Sequence, residues 1–169
     1  MRTIVLACSV LTAALLVGWL ADVRWNGTPS MPRGLYRLTS EVPQRGDVVA
    51  CCLEGETAAL ALARGYLRPG GCPSGAQPLL KRLAGLPGDF VQVDQEGIHI
   101  NGVLQPDSRS RQADRQGREL PQQALHSGII PQGQALTLSN HHSGGFDGRY
   151  LGLVPLDSLR TVEPLWTIP

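Results

Sequence analysis

Apolar side chains follow three different rhythms along this chain. From Ile4 to Ala21 they run without a charge or a proline, and about 18 such residues make a helix of roughly 27 Å, close to the hydrocarbon thickness of a bilayer. The run predicts a membrane-spanning helix. Beyond it, short apolar segments recur between turn residues. Leu35–Leu38, Asp47–Leu53, Leu79–Leu86, Phe90–Asp94 and Ala135–Leu138 predict strands. Ile98 and Ile100 alternate with polar residues ahead of Asn101-Gly102, a two-residue hairpin turn. Val162–Ile168 predicts a closing strand with Trp166 in the core. Only Glu56–Tyr66, rich in alanine and leucine, carries a helical rhythm, and the Gly/Pro stretch Arg68–Pro78 follows it. Gln105–Gln123 is polar with charges of both signs, which predicts a surface loop without chemistry. The expectation is a mostly β, antiparallel domain over residues 22–169 behind an anchor over 1–21, with one short helix.

A removed signal peptide is the rival reading of the first run. Trp19 and Leu20 crowd the small-residue pattern that cleavage before Ala21 would need. Arg2 lies before the run, while Asp22 and Arg24 nearly cancel after it. That bias predicts the bulk of the chain outside the cytoplasm.

Composition narrows the picture further. The 169 residues carry 15 Lys+Arg against 14 Asp+Glu, a net charge of +1, so the chain lacks the basic field that nucleic-acid binding requires. Twenty glycines, 13 prolines and 5% aromatics suit many short strands and turns around an aliphatic core. Of the four cysteines, Cys8 falls in the apolar run, leaving Cys51, Cys52 and Cys72. Neighbours on a strand point to opposite faces, so one of Cys51 and Cys52 is expected to pair with Cys72, closing a loop of about 20 residues that contributes on the order of 3 kcal/mol. Three reduced thiols are the alternative. Zinc is disfavoured, because adjacent cysteines lack a spacer and the four histidines complete no ligand set. No cofactor is expected.

The candidate chemistry rests on a serine and a lysine. Ser30 stands in Thr28-Pro29-Ser30-Met31-Pro32, where the prolines restrict the backbone and Gly34 permits a close approach. A serine hydroxyl becomes a nucleophile when a base takes its proton, and a lysine serves if burial lowers its pKa from about 10.4. On a strand, Lys81 shares a face with Leu79 and Leu83, the face expected to be apolar, while Arg82 points the other way. Thr28 is positioned to offer its hydroxyl to a developing oxyanion. Asp147 and Arg149, two apart, share a face if the segment is a strand, and Asp147 is a candidate to orient Lys81. His141 and His142 with Asp147 allow a Ser/His/Asp alternative.

These segments resemble the nucleophile, lysine and Asp/Arg boxes of signal peptidase I: Thr28–Pro32, Lys81–Asp89 and Ser139–Tyr150, in the same chain order. Within that superfamily the chain resembles the TraF-type peptidases of plasmid conjugative transfer. The likeness rests on the N-terminal run, Ser30-Met31-Pro32-Arg33-Gly34-Leu35-Tyr36, the excursion up to Cys72-Pro73, and Phe146-Asp147-Gly148-Arg149-Tyr150-Leu151-Gly152. Compared with general signal peptidases, one residue is missing between the serine and its following proline. Ser139-Asn140-His141-His142 also replaces a Gly-Asp-Asn. The resemblance implies a membrane-anchored Ser/Lys endopeptidase whose partners are the bilayer and a membrane-embedded pilin precursor or other preprotein. It further implies an acyl-enzyme, released by hydrolysis or by ring closure. A general signal peptidase and a catalytically silent assembly factor are the two alternative functions.

Overall fold

The computed structural model describes residues 23–28, 30–122, 124–139 and 142–168. The Ile4–Ala21 run, and with it the expected anchor, lies outside the described residues, among which no helix is long and apolar enough to cross a membrane. The chain is mostly β, as its pattern predicts. Its strands are β1 (Val23–Asn26), β2 (Arg33–Leu38), β3 (Val48–Cys51), β4 (Leu79–Gly85), β5 (Phe90–Val93), β6 (Ile98–Ile100), β7 (Val103–Leu104), β8 (Gly128–Ile129), β9 (Gln134–Leu138), β10 (Val154–Pro155) and β11 (Arg160–Ile168). Among the described residues two α-helices accompany them, α1 (Gly55–Ala63) and the single turn α2 (Gly148–Leu151).

All pairings between strands are antiparallel. Seven strands form one sheet in the order β1-β2-β11-β3-β4-β9-β10, and β7-β6-β5-β8 form a second. The β6–β7 turn has positive φ at both Asn101 and Gly102, the geometry that an Asn-Gly hairpin supplies at little steric cost. Gly34 is required for packing. A Cβ there would collide with the Trp166 carbonyl of β11, so glycine lets the strand after Ser30 lie directly against its neighbour.

β4 alternates as expected: Leu79, Lys81 and Leu83 are buried, whereas Leu80 and Arg82 are half-buried on the other face. The buried face joins a core of Val49, Cys51, Leu53, Leu79, Leu83, Phe146 and Tyr150. A second cluster, including Val91, Ile98, Ile100 and Leu136, sits beneath the smaller sheet. Cys52 pairs with Cys72, with Cα atoms 5.6 Å apart, and this bond closes the excursion that contains α1. Cys51, on the opposite face of β3, is a buried free thiol.

Two sequence expectations are corrected. Trp166 is not core: it is 55% exposed and faces Trp25 at 6.4 Å between ring centroids. From Val162 onward β11 has left β3 and pairs only with β2, and a register shift between Pro164 and Trp166 interrupts the alternation. Asp147 and Arg149 are not strand neighbours either. Asp147 is the N-cap of α2, its carboxylate accepting a hydrogen bond from the Arg149 backbone N–H at 3.2 Å.

Candidate active site

Asn26, at the end of β1, organises the segment that carries Ser30. Its Nδ2 donates to the carbonyls of Thr28, Met31 and Pro32 at 3.2, 3.2 and 3.0 Å, which fixes the orientation of the amide. Its Oδ1 then accepts from the Thr28 backbone N–H at 3.1 Å and from the Thr28 hydroxyl at 2.8 Å. The Tyr36 hydroxyl adds a 2.6 Å bond to the Pro32 carbonyl. Ser30 Oγ lies 3.2 Å from Thr28 Oγ1. Because the single Thr28 hydroxyl proton goes to Asn26, the Ser30 hydroxyl is the donor in that pair. Thr28 therefore makes a turn hydrogen bond in the unliganded chain, and its proton is not free for an oxyanion.

Lys81 reaches the same site from β4, opposite Val49 of β3. It is 2% exposed. Burial lowers its pKa from 10.5 to about 8; nearby Asp147 and Cys51 oppose the shift, and Arg149 adds to it. Desolvation thus outweighs the attraction of the carboxylate. Among the described residues the amine makes no hydrogen bond to Ser30, although both side chains line one cavity of about 1030 Å³ together with Thr28, Asn26, Tyr36 and Cys51. A second cleft of about 500 Å³, between the Thr39–Pro43 loop and Leu156–Arg160, contains none of the candidate residues.

Asp147 and Arg149 form a fully buried ion pair, Nε to Oδ1 at 2.8 Å and Nη2 to Oδ2 at 2.9 Å. The remaining guanidinium protons reach the carbonyls of Asp107, Arg109, Ser143 and Gly145. Arg149 thus ties three stretches of chain behind the site and has no donor left for substrate. The second oxygen of Asp147 also accepts the Ser139 backbone N–H at 2.8 Å. Continuing the Arg82↔Leu138 register of β4 and β9 by one residue sets Ser139 beside Lys81. The Ser139 hydroxyl is buried and has no hydrogen-bond partner.

His142 accepts the Gly144 N–H at Nδ1, 2.7 Å, and lies against Arg115 at Nε2. With both Asp147 oxygens taken by Arg149 and Ser139, the described geometry gives no His142–Asp147 couple. His141 lies outside the described residues.

Sequence reasoning missed Asn26, Ser139, Cys51 and the loop of Gln105–Gln123 as parts of this site. An Asn two residues before a Thr is an available turn signal for the first. The loop returns over the cavity, where Arg111, Asp114, Arg115 and Arg118 form part of its wall.

Ser30 and Lys81 share one cavity of an antiparallel fold, and sequence comparison assigns the class. The chain belongs to the signal peptidase family, peptidase S26, whose model matches residues 1–166. Membership implies serine-peptidase activity. Within it the chain is similar to the plasmid transfer protein TraF of Escherichia coli, 34% identical over 155 residues, covering 89% of this chain and 86% of the relative. It is 38% identical over 166 residues to the conjugal transfer protein TraF of Agrobacterium tumefaciens (strain 15955), covering 94% and 89%. Signal peptidase IB of Staphylococcus aureus (strain Mu50) matches over less, 29% identical over 91 residues and 47% of this chain, 48% of the relative. A solved signal peptidase I from Enterococcus faecalis covers 74% of this chain and 99% of its own, with TM-score 0.43 and 24% identity.

Proposed function

We propose that the protein is a membrane-anchored Ser/Lys peptidase of conjugative transfer that matures a pilin precursor on the periplasmic side of the inner membrane. The observation that carries this reading is a buried Lys81, its pKa lowered to about 8, lining the same cavity as Ser30. Ser30 Oγ gives its proton to the neutral Lys81 amine and attacks the scissile carbonyl. The C–N bond then breaks, Lys81 returns the proton to the leaving amine, and an ester to Ser30 remains. Water, or the precursor's own N-terminal amine, next attacks that ester and gives a proton to Lys81; the acyl C–O bond to Ser30 breaks and Lys81 returns the proton to Ser30 Oγ, leaving a linear product with water or a ring with the amine.

Attack requires Ser30 to turn from Thr28 toward Lys81. For Thr28 to donate to the oxyanion, its hydroxyl must also turn from Asn26 Oδ1. Asp147 acts as a positioning residue: it holds the Ser139 backbone, the position that the continued β4–β9 register sets beside Lys81. Arg149 holds Asp147 in place through two parallel N–H to oxygen contacts. The anchor is the run ending at Ala21, and because β1 begins at Val23, the Ser30 turn is kept close to the bilayer. Extensive matches to TraF proteins favour a conjugation substrate over general secretory leaders.

Coexpression of the full chain with a pilin precursor and, separately, with a secreted preprotein tests the reading. Mature pilin is expected with wild type and not with Ser30→Ala or Lys81→Met, and ring closure makes its mass one water lighter than the linear product. Trimmed leaders with unprocessed pilin would instead assign a general signal peptidase. Pilin maturation unchanged in both variants would leave an assembly factor.

A further inference from the structure

The cavity that holds Ser30 and Lys81 concentrates positive charge to a degree that the whole chain does not. Seven arginines and Lys81 line it against two carboxylates, Glu54 and Asp114, although the chain totals are 15 Lys+Arg and 14 Asp+Glu. One of the two carboxylates is already committed: Asp114 is paired with Arg118 at 2.7 Å and accepts the Tyr66 hydroxyl at 2.6 Å. Other arginines bind neutral groups. Arg64 donates to the Glu119 carbonyl and Arg111 to Ser143 Oγ, while Arg115 lies against the His142 ring. Among the described residues, Arg64, Arg111 and Arg115 form no ion pair with a carboxylate. Arg68, Arg111 and Arg115 are exposed at the cavity wall.

We infer that this wall recognises an acidic segment of the preprotein, carboxylates flanking the scissile bond, and that it makes the enzyme selective for acidic over neutral peptides. The inference rests on the peptidase reading above and adds the substrate's chemistry to it. Arginine suits the task because its planar guanidinium grips a carboxylate through two N–H groups and stays charged at any working pH. A concave, single-sign surface also concentrates oppositely charged ligand and speeds its encounter. Trp25 also lines the cavity and faces Trp166, both largely exposed, so the site offers apolar as well as cationic contacts to an extended peptide. Because the arginines line a concavity that also holds the nucleophile, a peptide entering the site meets them, whereas a flat membrane surface does not.

The test uses the full chain in detergent micelles as Ser30→Ala, so that binding is read without turnover, and two fluorescent peptides of alternating small residues that differ only in three Asp against three Asn. The Asp peptide is expected to bind about tenfold or more tighter at low salt, with the preference shrinking by about 0.5 M salt. The preference is expected to vanish in Arg68→Gln/Arg111→Gln/Arg115→Gln, three exposed positions, with an unchanged melting temperature confirming the fold. Equal binding of the two peptides, or a preference that survives the triple substitution, overturns the inference. So does a triple variant that loses binding to phosphatidylglycerol vesicles while keeping its peptide preference, since that assigns the arginines to lipid. Ser30 and Lys81 take no chemical part in this measurement, so its failure leaves the peptidase reading standing, and failure of that reading leaves the binding result interpretable.

Discussion

The Ser30 hydroxyl donates to Thr28 Oγ1 across 3.2 Å, because the Thr28 proton is held by Asn26. In the unliganded chain the Ser30 hydroxyl therefore rests on its neighbour, and the Asn26 amide bonds five groups of the turn.

Asn26→Ala removes that amide. Three carbonyls and two donors of the Thr28–Pro32 segment lose their partner, and at about 1 kcal/mol for each bond, partly compensated by water, the expected cost is roughly 2 kcal/mol in urea unfolding. The larger effect falls on turnover: kcat is expected to drop by about tenfold or more with KM little changed, since the turn no longer holds Ser30 at one angle. A variant with wild-type kcat would show that the turn holds itself.

Arg149→Lys keeps the charge and discards the fork. A lysine ammonium has three donors, whereas this guanidinium satisfies both Asp147 oxygens and four backbone carbonyls. Breaking such a buried pair geometry is expected to cost about 3 kcal/mol or more, measured by denaturant unfolding of the full chain in micelles. Activity should fall with it, through Asp147 rather than through contact with substrate. A loss below about 1 kcal/mol, the range of a surface ion pair, would contradict the buried assignment.

Much of this architecture was legible in the residues. The alternation Leu79-Leu80-Lys81-Arg82-Leu83 determines which face of β4 is dry, and so places Lys81 inward before any coordinate is known. The Cys51-Cys52 adjacency shows that only one thiol can meet Cys72, and Asn101-Gly102 specifies its own hairpin. Three features were not legible, for physical reasons. Trp166 looks like core by composition, but exposure depends on β11 parting from β3, a long-range event that no local pattern encodes. Asp147-Gly148-Arg149 fits a strand or a capped turn equally well, and tertiary hydrogen bonds decide. The Gln105–Gln123 segment has few apolar anchors, so its sequence reads as solvent-facing loop. Its place over the cavity is fixed by polar contacts such as Arg111 N–H to the Tyr150 hydroxyl at 2.9 Å.

Lys81 also leaves a signature in stability. The folded chain holds its pKa at about 8 and the unfolded chain near 10.5, so between those values the unfolded chain binds more protons. Raising the pH through that window stabilises the fold, and below about 8 the fold carries the full cost of a buried ammonium, on the order of 3 kcal/mol. Lys81→Met is expected to be more stable than wild type at pH 7 and to lose the rise between pH 7.5 and 9. That range is best read as the difference between the two proteins, because the Cys51 thiol, pushed up to about 11 by burial, works in the opposite direction at higher pH. Parallel curves for the two proteins would mean that Lys81 is solvated.

The central claim, that a neutral lysine takes the proton of Ser30, is tested most directly by the pH dependence of kcat/KM on a cleavable peptide. Wild type is expected to gain activity through an apparent pKa of about 8 and then level off, with Lys81→Met lower by about a thousandfold or more and flat over the same range. A profile governed by a group near pH 6.5 that disappears in His142→Ala, with Lys81→Met still active, would contradict the account and give the proton to histidine.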